Sequence, residues 1–564
     1  MALRNHTGLG LSLLAVGLTA LAACSSSSSS GSTPATVASA GSGGSAGAAG
    51  KGGGTGIVGS GGAGGKVLQL GSASDPATCD DAMANHSYVG CDFWPTVTFN
   101  PVWSLFDFAV VVANVGAQPA DISVTGGLGS TTVTVPPLSL AKVYLPWVPD
   151  LKGKDADPCG SSSDQLASVV SKKGAYHLTS TRPVIVYQFN ALEFRGAGGP
   201  QGKDWGSCPG LSVCSTSKSK NGCYSFTNDA ALLLPSTAMT GNYAVTSLPG
   251  GNSQGFFAVT ATQDATTVTM KLGAAAKILA GGTLTAGNPG ALVKLTLDAG
   301  DVAEIVGNDT SDLGGTLVQA DHPVQVISGS GCAAIPPKTM DGTQTTCDHI
   351  EETVLPVETL GKHYFVTSPT GALGKPVPHA VRLYGGVTDV QLTYPAGMPA
   401  GAPATLAAGK AVDLGVLSQD FEIVGDNAFS VGLFQLSAQL ADPNDIIARA
   451  DPSQSQAVTV DQYRTGYVFL APDDYDVSFV DVIMPMKADV QLDGVALPVA
   501  PQPIGSSGYG VARVRLGIGE GGAHSLAASQ PVGIQVMGYG AYTGYQFPGG
   551  LNLQAISPPL PILQ

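Results

Sequence analysis

The densest run of chemistry-bearing side chains is Cys347-Asp348-His349-Ile350-Glu351-Glu352. A histidine among carboxylates can ligate a metal or act as a general base. In an extended segment, alternation puts Asp348, Ile350 and Glu352 on one face and His349 and Glu351 on the other. The competing reading is a segment fixed by a Cys332–Cys347 bridge, with His349 and a carboxylate hydrogen-bonding backbone groups. Its place between repeated units favours that second reading, so Asp348, His349, Glu351 and Glu352 are taken as a junction motif. The eight histidines are scattered, and none falls in a His-Glu-x-x-His arrangement. Gly43-Gly44-Ser45-Ala46-Gly47 has the form of a nucleophile elbow but lies in a Gly/Ser tract, without the strand and helix an elbow needs. The sequence therefore assigns no catalytic residue and no metal site. Asp442-Pro443-Asn444-Asp445 and Pro472-Asp473-Asp474-Tyr475-Asp476 could offer oxygens to calcium, the one cofactor with ligands in view. Asx-rich turns explain both runs equally well. Tyr88, Phe93, Trp94, Phe99 and Trp103 are close in sequence, and Trp94 and Trp103 are candidate binding residues for a sugar or protein. Sandwich core is the more common fate of such rings.

Nine cysteines divide into one and eight. The chain opens on a short basic stretch ending in Arg4, then an apolar run from Leu9 to Ala23. That run falls short of the roughly 20 residues a spanning helix needs and suits a secretory signal, residues 1–23. Leu21-Ala22-Ala23-Cys24 resembles the bacterial lipobox. The resemblance implies acyl chains on Cys24 and, with no Asp following, an outer-membrane lipid anchor. The remaining eight cysteines, in an exported chain, read as four disulfides. Cys79–Cys91 and Cys332–Cys347 pair locally. Cys159, Cys208, Cys214 and Cys223 pair among themselves in an order the sequence leaves open. No C-x-x-C spacing supports zinc.

Only 12% of residues are charged, while glycines number 76 and prolines 38. Helix interiors disfavour both, so turn-rich β structure is expected. A formal charge of −15 argues against a nucleic-acid partner, which demands clustered Lys and Arg.

Residues 24–78 form a Gly/Ser-rich linker without an aromatic residue. Such a segment cannot bury enough apolar surface to order itself. A coil of ~50 residues spans roughly 40 Å, enough to act as a tether. Beyond Tyr88, short β-branched runs alternate with Gly/Pro turns, as in Phe106–Asn114 and Asp121–Thr125. Three pieces recur. The first is a Pro-Val strand at Pro183-Val184, Pro323-Val324 and Pro531-Val532, with a version lacking proline at Asn427–Phe434. The second is a Gly-x-Tyr-type opening at Gly241–Val245, Gly361–Val366 and Gly466–Phe469. The third is the strand Thr267–Thr269, echoed at Asp389–Leu392 and Asp489–Leu492. The expected fold is all-β, with several related β-sandwich-like units at 88–235, 236–358, 359–455 and 456–550.

Thr227-Asn228-Asp229-Ala230-Ala231-Leu232-Leu233-Leu234-Pro235, running into Gly241-Asn242-Tyr243, pairs with Asp348–Pro356, running into Gly361–Val366. With Phe106–Asn114 and the Pro-Val strands, these stretches resemble bacterial proteins carrying the IgGFc-binding N-terminal domain. The resemblance covers about 88–550. It implies a non-catalytic binding or adhesion role at the cell surface, with an unknown protein or glycan ligand. Two alternatives stand beside it: a secreted hydrolase with a site near His349, and a scaffold subunit of an envelope assembly.

Overall fold

The computed structural model describes residues 75–157, 164–209, 223–249, 253–309, 311–338, 342, 345–517 and 522–564, with 58–59 by backbone alone. The expected signal peptide, Cys24 and most of the linker lie outside these residues, as do Cys159 and Cys214. The body begins before the expected linker boundary at 78. Thr78 caps helix α1 (Cys79–Asn85), its side chain accepting from Asp81 N while Asp81 caps back. Asp75 already pairs with Arg464.

Sixteen strands build four copies of one sheet. The first copy holds β1 (Phe108–Asn114), β2 (Leu140–Leu145), β3 (His177–Asn190) and β4 (Asp229–Leu232). The second holds β5 (Gly255–Ala261), β6 (Val302–Val306), β7 (Val324–Ala333) and β8 (Asp348–Thr353). The third holds β9 (His379–Gly385), β10 (Ala411–Leu417), β11 (Phe429–Gln435) and β12 (Gln454–Gln456). The fourth holds β13 (Val477–Pro485), β14 (Tyr509–Arg515), β15 (Ala523–Gly540) and β16 (Thr543–Pro548). In every copy the fourth strand pairs with the third, the third with the first and the first with the second, all antiparallel. Val169–Ser171, from the stretch between β2 and β3, joins the free edge of β6 and so crosses from the first copy to the second.

The second and third copies carry a separate second sheet, and in the first and fourth the long strands β3 and β15 continue into further strands of one eight-stranded sheet. In the second copy the separate sheet comprises Asn242–Ala244, Leu317–Ala320, Thr266–Lys271 and Leu292–Leu297. The two kinds of sheet differ in burial. Phe108–Asn114 and Gly255–Ala261 are buried at every position, whereas Thr266–Lys271 and Leu292–Leu297 alternate buried and exposed. A sheet covered on both faces needs no polar side, and one facing water does.

The fourth strands form a ring. β4 packs on β8, β8 on β12, β12 on β16, and β16 returns to β4. Each of the first three leads into a 3-10 turn, at Ser236–Ala238, Val357–Thr359 and Val460–Gln462, and then into the next copy. A tyrosine fixes each joint. Tyr243 OH accepts from Thr240 N and donates to Val324 O, Tyr364 accepts from Gly361 N and donates to Phe429 O, and Tyr467 accepts from Arg464 N and donates to Val532 O. The recurring Gly-x-Tyr opening thus has one mechanical job, tying the start of a unit to its long strand. The fourth joint has no peptide link. After β16 the chain meets the start of the body through Leu553 N to His86 O at 2.9 Å and Tyr88 N to Leu551 O at 3.4 Å.

Candidate functional site

β3 reads Tyr187-Gln188-Phe189-Asn190, and all four side chains are fully buried. Alternation sends the aromatic pair one way and the amide pair the other. The aromatic face meets β16: Tyr187 packs on Phe547 at 4.6 Å between ring centroids and Phe189 on Tyr545 at 5.8 Å. The amide face meets Thr96, Thr98 and the junction motif on β8.

Asp348, His349, Glu351 and Glu352 are all buried. His349 and Glu351 share a face as expected, with Nε2 and Oε2 3.4 Å apart. Glu351 accepts from Gln188 Nε2 at 2.8 Å and from Thr98 Oγ1 at 2.6 Å. His349 lies over Phe256 at 6.2 Å. Asp348 accepts from Asn228 N and from Thr543 Oγ1. Glu352 accepts from Thr353 N at 2.8 Å. Asp229, at the start of β4, ties three ring strands together by accepting from Glu351 N, Gln454 N and Ala230 N at 2.9–3.0 Å. β8 reaches this position because Gly329 faces it, where a Cβ would collide with the Ile350 carbonyl. Burial raises the pKa of Asp229, Asp348 and Glu352 well above the carboxylate range, and the negative charges nearby add to it. Burial also pushes Glu304, which accepts from Phe99 N, up to about 8. A cluster with no exposed side chain offers nothing for a soluble substrate to reach. Its hydrogen bonds make it the pin of the ring.

The structure does not bring Trp94 and Trp103 together as a platform. Both are buried, at 8% and 7% exposure, in different apolar clusters. Trp94 stacks on His177 at 4.2 Å, and Trp103 Nε1 donates to Asp157 O at 3.2 Å. Sequence proximity does not reveal that the two rings join separate apolar clusters. Four carboxylates of the two acidic runs considered for calcium have protein partners. Asp442 accepts from Asn444 N, Asp445 pairs with Arg449, Asp474 with Lys142 and Asp476 with Arg195. Among the described residues no group of three His, Cys, Asp or Glu side chains is placed to hold a metal ion.

Loops that could meet a partner gather at one end of the ring. The described parts of the connections from third to fourth strand, which follow Asn190, Ala333, Gln435 and Gly540, leave at the end where the ring strands begin. Cys208–Cys223 closes the first and Cys332–Cys347 the second. Cys79–Cys91 ties α1 to the first unit away from this end. The crown is continuous. Ser437 N donates to Ile335 O, Tyr542 N to Ala448 O, and Phe226 sits edge-on to Tyr542 at 6.4 Å. At its tip Ile446 is 99% exposed and Ile447 51%. The tip is fixed: Ile447 N donates to Asp445 Oδ1 at 3.0 Å and Arg449 Nε to Asp445 Oδ2 at 2.8 Å. In the sequence, Ile446 and Ile447 stand among Asp, Asn and Pro, and the adjacent apolar pair in a turn was the available signal.

Residues 229–538 match the family described as IgGFc binding protein. The chain belongs to the IgGFc-binding family. The match opens on Asp229, the residue that pins the ring, and closes inside β15. A stretch of 146 residues is 31% identical to the IgGFc-binding protein of Homo sapiens, covering 25% of this chain. It spans 2% of that much longer relative. No solved structure matches. The family is a binding type, and the matched segment holds three of the four ring strands, β4, β8 and β12.

Proposed function

We propose that this family member is a cell-surface adhesion lipoprotein that grips a protein or glycan with its crown. Acyl chains on Cys24 hold it to the outer membrane, and the Gly/Ser tract gives it reach. One observation carries this reading: a hydrogen-bonded turn between β11 and β12 holds Ile446 and Ile447 out to solvent. Loops on a rigid scaffold are the usual carriers of recognition, and a preordered aliphatic tip costs little entropy to bind.

The human relative's name supplies the first probe, immunoglobulin G Fc, to be tested by interferometry beside a panel of matrix proteins and glycans. An Ile446→Asp/Ile447→Asp variant with an unchanged circular dichroism spectrum is expected to bind the captured partner at least tenfold more weakly, about 1.4 kcal/mol. Equal binding by wild type and variant would remove the crown from the reading. Labelling with a palmitate analogue in the native host tests the anchor, and an unmarked protein counts against it.

A further inference from the structure

The amide face of β3 holds more than hydrogen bonds. Thr98, Asn100, Asn190, His349 and Glu351 are each 0% exposed and converge on a few atoms. Thr98 Oγ1 donates to Glu351 Oε2 at 2.6 Å. Asn190 Nδ2 lies 2.8 Å from that same hydroxyl oxygen and 3.3 Å from the same carboxylate oxygen. Asn190 Oδ1 accepts from Asn100 Nδ2 at 3.2 Å. Gln188 Nε2 clamps the other oxygen of Glu351 at 2.8 Å.

These are the parts of an acyl transfer. There is a hydroxyl nucleophile, a base already bonded to it, an amide carbonyl one bond from its nearest contact, and a donor on the oxygen where charge would develop. We propose that Thr98 and Asn190 become joined by an intramolecular ester. Oγ1 bonds to Cγ of Asn190 as its proton passes to Glu351. The negative charge gathers on Oδ1, where the Asn100 amide donates to it. The intermediate collapses by breaking the Cγ–Nδ2 bond, and Glu351 returns the proton to the departing nitrogen, which leaves as ammonia. A hydroxyl and a carboxamide become an ester and ammonia, with no oxidant and no co-reactant. Folding itself supplies the proximity, which is worth many orders of magnitude in effective concentration. The same burial keeps water from the product. Glu351 and Asn100 touch the reacting atoms, and Gln188 holds Glu351 in place.

The neighbouring polar sites lack the full set. Thr96 Oγ1 meets the Thr260 hydroxyl and the Trp94 carbonyl. Neither supplies a carboxylate base. The cross-link would fasten the segment before β1 to the end of β3, where the first unit meets the second.

Intact full-length protein, reduced and digested with trypsin, reads the result directly, because Lys142 and Lys152 separate the two residues in sequence. The peptides carrying Thr98 and Asn190 are expected as one species, lighter than their sum by one ammonia. Hydroxylamine should separate them and leave a hydroxamate at Asn190. Thr98→Val and Glu351→Gln should each abolish the joined species, and Thr98→Ser should keep it. Wild-type protein that yields both peptides apart at their sequence masses overturns the proposal, whatever the variants do. That result would leave the crown's binding role untouched.

Discussion

The two faces of β3 are equally buried and differently built. Tyr187 and Phe189 meet Phe547 and Tyr545 in an aromatic joint between the first and fourth units. Gln188 and Asn190 meet Thr96, Thr98 and Glu351 in a polar joint between the first and second. The aromatic joint gains from area and shape and tolerates small shifts of register. The polar joint tolerates none, since a shifted donor leaves a buried group without a partner. One strand thus joins two neighbours, loosely specified on one side and tightly on the other.

Gln188→Met should show the largest effect. It keeps the volume but leaves Thr96 N, Thr96 O and Glu351 Oε1 without their partner. Each orphaned group costs roughly 1–3 kcal/mol, read as a fall in the denaturant midpoint. Phe189→Ala on the other face should cost about 3–5 kcal/mol through the cavity it opens. A smaller loss for Gln188→Met than for Phe189→Ala would mean that shape governs both faces.

Titration sharpens the contrast, because only the polar joint has acids to titrate. Glu304 rises from 4.5 to about 8 by burial. A raised carboxyl gives stability that is complete below its unfolded pKa and lost as pH climbs through the folded value. The melting temperature should therefore fall between pH 5 and 8, and Glu304→Gln should flatten that slope. His379, lowered from 6.5 to about 3 by burial, acts the other way: its contribution is whole above pH 6.5 and fades as pH drops towards 3. A slope unchanged in Glu304→Gln would show that other acids carry it. The smallest effect belongs outside the ring. Thr269→Ala, on the half-exposed outer sheet, should change stability by no more than about 0.5 kcal/mol.

Much of this was legible in the residues. The Gly-x-Tyr openings and Pro-Val strands announce related β-units, and the paired motifs at Thr227–Pro235 and Asp348–Pro356 carry the family resemblance. The alternation of His349 and Glu351 was also readable. The ring was not. Gln454-Ser455-Gln456 has the texture of a turn, yet it is a fully buried strand. Tyr187–Asn190 alternates as a half-wet strand would, and only the arrival of a second unit on its polar side dries it. A sequence pattern records which side chains share a face and not what comes to cover that face. For the same reason Trp94 and Trp103 suggested a platform and the crown's Ile446 escaped notice.

The joint between Leu551–Leu553 and His86–Tyr88 sets the order of assembly. Three of the four junctions are continuous chain and can form as synthesis proceeds. The last must wait for the closing residues, so β4 stands without its β16 neighbour until Thr543–Pro548 has been made. Until then the flank of β4 that β16 covers is exposed, an unpaired apolar surface of the kind that invites association with other chains.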